Sequence, residues 1–255
     1  MIARRHLIVV ASLAAFAPRL VLARSPVAGC CLRSPLASSG LRAGNAAAAV
    51  VSPSHAQDKL ITSSGDAQLD HALGRALLRL AEAFDVYPGF GFIDDSDGEN
   101  AYAAREDRIA GTHGTVYFGL TLFRRTMARF DDGGMAVLAI CAHEFAHIHQ
   151  FWSGYHKELT ETLDGKVRLA ELHADYLAGY FLARRKAEYT QLNIQGAGAL
   201  IESLGDTEFS SPEHHGTPAQ RVHAIEAGYA YGTTGNHVIA EAAREGSKLV
   251  LNQFA

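Results

Sequence analysis

Apolar residues recur at helical spacing through A-L-G-R-A-L-L-R-L-A-E-A-F, which predicts a first amphipathic helix between Asp66 and Asp85. Pro88 to Asn100 is rich in Gly and Asp and reads as a turn region. Asn100-Ala101-Tyr102-Ala103 and residues 114–120 are short apolar runs near glycines and read as strands. A helix near 121–130 follows. The run from Gly134 to Trp152 is apolar on most sides, with Gly133 before it and Gly154 after it, the punctuation of a buried helix. A second mostly apolar helical pattern covers 167–189. Further helices are expected near 190–204, from Pro218 to about Tyr231, and over the last 20 residues, with a loop at 205–216. The fold class is therefore helix-dominated α+β, in one domain over 58–255 with a short sheet.

Chemistry enters inside the apolar run. His143-Glu144-Phe145-Ala146-His147 places two imidazoles four residues apart, on one helical face and about one turn from each other. Such a pair can bind one metal ion, with Glu144 beside the ion's open side, where it can take a proton from water. Burying two imidazoles and a carboxylate in one turn is costly without an ion between them.

Zinc needs a third protein ligand. The extended scheme HExxHxxGxxH would require Gly at 150 and His at 153, but the chain has Gln150 and Ser153. Glu171 and Asp175 lie four apart on the second apolar helix and share a face. Glu171 is the expected third ligand. Asp175 is expected to accept the distal N–H of a ligand histidine and so fix its tautomer. His173 is two residues from Glu171 and faces elsewhere, so it is read as a surface or supporting residue, with the third-ligand role as its alternative.

With both helices in place, the chain resembles the gluzincin peptidases, especially the family of HtpX and the CAAX prenyl proteases, and the bacterial neutral zinc metallopeptidases. The matching pieces are HEFAH (143–147), ELHAD (171–175), NAYA (100–103) and HGTPAQR (215–221), in the family's order. The resemblance implies a zincin-like domain with one Zn²⁺ per chain, held by His143, His147 and Glu171. It implies Glu144 as general base and acid, His215 as the oxyanion-steadying residue, and Asp175 and Arg221 as supports. The expected activity is endopeptidase cleavage of a protein or peptide. The chain departs from the family in having Gly216 where Pro is common and in lacking several membrane-spanning helices, and His214 beside His215 leaves open which of them faces the site. A metal-dependent cell-wall amidase and a non-catalytic zinc-site scaffold would share the same metal geometry.

Two of these pieces also have a local physical reading. Thr217-Pro218-Ala219-Gln220 has the form of a helix start, with Thr217 as cap and Gln220 reaching back to it. An edge strand beside a metal can pair with an extended substrate, and Asn100, Ala101, Tyr102 and Ala103 are the candidates for that role.

Charge divides the chain unevenly. The formal net charge is −4, yet residues 1–57 hold six Arg and no Lys or acid. The remaining 17 basic and 27 acidic residues leave 58–255 at −10. An acidic domain with no basic stripe argues against nucleic acid as a partner. Residues 1–24 have the form of an export signal: MIARRH is basic and LIVVASLAAFA is apolar but too short to span a bilayer. The expected location is periplasmic or secreted, by a twin-arginine or a general route. Residues 25–57 are rich in Ala, Ser, Gly and Pro and read as linker. Val27-Ala28-Gly29-Cys30 resembles a lipoprotein box, which makes Cys30 a candidate lipid anchor. Cys141 reads as a small buried apolar residue. The acids Asp94, Asp95, Asp97 and Glu99 lack EF-hand spacing and read as a solvated loop.

Overall fold

The structure, a computed structural model, describes residues 30–33, 59–129, 133–192, 211 and 214–255. The expectation for the export signal (1–24) lies outside these residues, as does the helix expected near 190–204 from residue 193 onward; residues 190–192 are not helical. Among them are strands β1 (Cys30–Arg33), β2 (Gly89–Ile93), β3 (Asn100–Ala104) and β4 (Thr115–Gly119). The helices are α1 (Ala67–Phe84), α2 (Leu120–Arg129), α3 (Gly133–Ser153), α4 (Tyr155–Thr162), α5 (Arg168–Glu188), α6 (Pro218–Thr233) and α7 (Ile239–Phe254). The architecture is a helix-dominated α+β one, and no described helix is long and apolar enough to cross a membrane.

The sheet has the order β1-β3-β4-β2. β3 runs antiparallel to β1 and β4, whereas β2 and β4 are parallel. Alternation sorts its side chains: Phe92, Ala101, Ala103, Val116 and Phe118 join the main core, while Ile93, Tyr102, Ala104 and Tyr117 form a smaller cluster. Tyr102 and Tyr117 stack there, with ring centroids 4.6 Å apart.

Four expectations are corrected here. The turn region 88–100 contains β2, because G-F-G-F-I presents its aromatic side chains to the core despite its glycines. The linker contributes β1, whose backbone pairs Cys30 with Ala103 and Arg33 with Asn100. The edge of Asn100–Ala103 is therefore already occupied by the chain itself, and β3 is an inner strand. Within the acidic loop, Asp95 is buried, and its carboxylate accepts from Thr121 N (2.7 Å) and Leu122 N (3.0 Å), capping α2. Glu99 pairs with Arg125, while Asp94 stays exposed.

Helix ends follow local chemistry. Asp66 caps α1 by accepting from Gln68 N and Leu69 N. At α6, Thr217 Oγ1 accepts from Gln220 N and Gln220 Oε1 accepts from Thr217 N, a complete capping box. α3 is the central helix, buried at every position from Met135 to Gln150, and it packs against α1, α2, α5 and the sheet. α5 and α6 cross at very short range. A Cβ on Gly228 would fall 1.8 Å from Tyr176 O, and one on Gly179 would fall 2.0 Å from Ile225 O, so only glycine permits this approach. That close crossing carries Arg221, near the start of α6, onto α5.

Candidate metal centre

α3 presents His143 and His147 on the side that faces α5. Their Nε2 atoms are 3.0 Å apart. From α5, Glu171 brings Oε2 to 3.2 Å from His143 Nε2 and Oε1 to 3.3 Å from His147 Nε2. All three residues are fully buried, and their ligand atoms form a group that can hold a metal ion. Zn–N and Zn–O bonds of 2.0–2.1 Å in a tetrahedron put neighbouring donors about 3.3 Å apart, so the spacing fits such an ion.

The outer nitrogens are committed elsewhere. His143 Nδ1 donates to Asp175 Oδ1 at 2.9 Å. Arg221 grips the same carboxylate with two bonds, Nε to Oδ2 at 2.7 Å and one terminal nitrogen to Oδ1 at 2.8 Å. His147 Nδ1 donates to Gln150 Oε1 at 2.9 Å. Each ring, when neutral, thus turns a bare Nε2 lone pair inward. Two buried lone pairs and a carboxylate that converge repel one another unless a proton or a metal cation lies between them.

The electrostatics agree. Burial raises the Asp175 carboxyl, but the Arg221 guanidinium outweighs it and holds Asp175 below its ordinary value. Burial likewise opposes ionisation of Glu171, yet the nearby His147 and His215 charges hold its carboxyl well down. Of the two adjacent histidines, His214 is buried, and its backbone N–H donates to Ser211 O. Burial lowers His143, but the Asp175 and Glu171 carboxylates win and raise it to about 10. Burial pushes Glu144 up to about 7, against the pull of the two histidines. Neither Glu144 carboxylate oxygen has a hydrogen-bond partner among the described residues, although the side chain is fully buried. An ionisable group kept dry and unpartnered beside a ligand cluster suits proton transfer.

The structure thus brings together His143, Glu144, His147, Glu171, Asp175 and Arg221, with His215 close by. Asn100–Ala103 packs against α3 as part of the sheet, and its side chains do not join the ligand group. One participant was not expected, and a second takes the supporting one of its two expected places. Gln150 sits one turn beyond His147, and its amide nitrogen donates to Ala170 O (2.8 Å) and to His173 Nδ1 (2.9 Å). His173, expected at the surface or as a support, is fully buried, and its Nε2 donates to Ala243 O at 2.8 Å. A glutamine inside a long apolar helix, three residues from a ligand histidine, was the legible sign of the first. The second needed the position of α7. Comparisons with protein-family models, with characterised proteins and with solved structures return no match.

Proposed function

We propose that this chain is a zinc-dependent endopeptidase of the zincin type, with one Zn²⁺ held by His143, His147 and Glu171. The observation that carries the reading is the convergence of these three ligand atoms beside the buried, unpartnered carboxylate of Glu144. Nitrogen and carboxylate donors in a three-plus-one arrangement suit Zn²⁺ and leave one position for catalysis. The likeness of HEFAH, ELHAD and HGTPAQR to the gluzincin pattern supports the same assignment.

Held by His143, His147 and Glu171, Zn²⁺ would supply Lewis acidity to polarise a carbonyl and acidify water. Glu144 takes the proton of the attacking water and returns it to the leaving amine. Asp175 holds the His143 ring in its ligating orientation, and Arg221 holds Asp175. His215 steadies the oxyanion that forms on the carbonyl, a role worth about 3 kcal/mol in comparable sites. Protein or peptide is the substrate class. The signal-like residues 1–24 support action outside the cytoplasm, periplasmic or secreted.

Metal content of the purified chain, with and without Glu171→Ala, tests the centre, and chelator-sensitive cleavage of casein tests the activity. About one zinc per chain, lost in the variant, together with casein cleavage is the expected result. Bound zinc with peptidoglycan hydrolysis and no casein cleavage would reassign the enzyme to the amidases. Bound zinc with neither activity would leave a scaffold.

A further inference from the structure

Asp175 accounts for the tautomer of one metal-site histidine, and its charge is held by Arg221. The other histidine has no carboxylate on its outer nitrogen. It has a neutral amide, itself in contact with a second histidine.

The hydrogen-bond polarity of that path is fixed at both ends by backbone carbonyls, which accept only. Ala243 O, on α7, requires that His173 Nε2 carry a proton. Neutral His173 then has a bare Nδ1, which must accept. Ala170 O, on α5, requires that the nitrogen end of the Gln150 amide face it. The second amide hydrogen of Gln150 points to His173 Nδ1. Both amide hydrogens are then used, and the oxygen end faces His147 Nδ1 at 2.9 Å. An oxygen there forces the proton of His147 onto Nδ1 and bares its Nε2 toward Glu171 and His143.

We propose that Gln150 and His173 are positioning residues that lock His147 in its metal-ready tautomer and tie metal affinity to the docking of α7. This rests on the zinc-site reading above, which it deepens. All three side chains are fully buried, so water does not substitute for a lost partner. The packing of α7 on this path is tight: a Cβ on Gly246 would lie 3.0 Å from His173 Cδ2 and 2.6 Å from Tyr176 Cδ1. A shift of α7 therefore moves the His173 ring, and through it the Gln150 amide. Among the described side chains, the hydrogen bond from His173 Nε2 to Ala243 O joins α7 to this path.

The test measures Zn²⁺ affinity by chelator competition on the full chain for Gln150→Met and His173→Phe, singly and together, with thermal unfolding of the metal-free proteins as the check on folding. Each single variant is expected to bind zinc about 10- to 100-fold more weakly. The double variant should lose much less than the product of the two, because both break one path. Wild-type affinity in folded Gln150→Met overturns the proposal. Unchanged affinity in His173→Phe overturns its extension to α7. Should either variant fail to fold, ¹⁵N chemical shifts of His147 in the wild-type chain decide: a proton on Nδ1 supports the lock, and a proton on Nε2 alone refutes it. If the wild-type chain binds no zinc, the function proposed above fails, whereas wild-type binding untouched by these variants removes the relay only.

Discussion

Arg221 and Asp175, 46 residues apart in sequence, form a two-pronged ion pair with no exposure to solvent, 2.7 Å from Nε to Oδ2. The pair joins the first turn of α6 to the middle of α5, and the shared carboxylate continues to His143. Removing Arg221 would leave Asp175 buried and uncompensated. Arg221→Met is expected to cost about 3–5 kcal/mol of stability by urea unfolding. Adding Asp175→Leu should recover part of that loss while leaving zinc binding impaired. Recovery of both would mean that the pair serves stability alone.

Glu144→Gln keeps size and hydrogen-bonding capacity but cannot accept the proton. Zinc content should remain near one per chain, while peptide turnover falls about 10²- to 10⁴-fold. The wild-type rate should rise with pH as Glu144 ionises. Burial puts that ionisation at about 7 without metal, and a bound cation favours the carboxylate and moves it lower. The acid limb of kcat/KM is therefore expected at or below about pH 7. Near wild-type cleavage by the variant would remove Glu144 from the mechanism.

His143 offers a second pH dependence. Asp175 and Glu171 hold its proton to about 10 in the metal-free site, in spite of burial. At pH 8 an incoming ion must displace that proton, so zinc uptake should release about one proton per chain. Apparent affinity should fall as pH falls, because protonated His143 competes with the metal. Calorimetry in buffers of different ionisation enthalpy measures the release. Affinity that is flat between pH 6 and 8 would show that His143 is already bare.

The outer edge of β3 is paired with residues 30–33. If extended substrates bind beside Asn100–Ala103, they must first displace that strand. A chain beginning at residue 58 is then expected to show a lower KM for a long peptide, with kcat changed little. A synthetic peptide covering residues 28–35 should inhibit the shortened chain competitively. Equal KM for both chains would place the substrate elsewhere.

The linear chain determined much of this molecule. The spacing of His143 and His147, and of Glu171 and Asp175, is a property of helical periodicity, so sequence sufficed to put each pair on one face. The Asp66 and Thr217 caps are equally local, since each satisfies N–H groups within three residues. Tertiary structure decided what depends on long-range meeting. The sequence could not bring residues 30–33 to β3, because backbone pairing draws on groups that every residue carries. Nor could it bury His173, whose partners come from α3 and α7. Joining the two helical faces into one ligand group required the packing of α3 on α5. The glycine-lined contact of α5 with α6 then set Arg221 against Asp175, where shape alone fixes the distance.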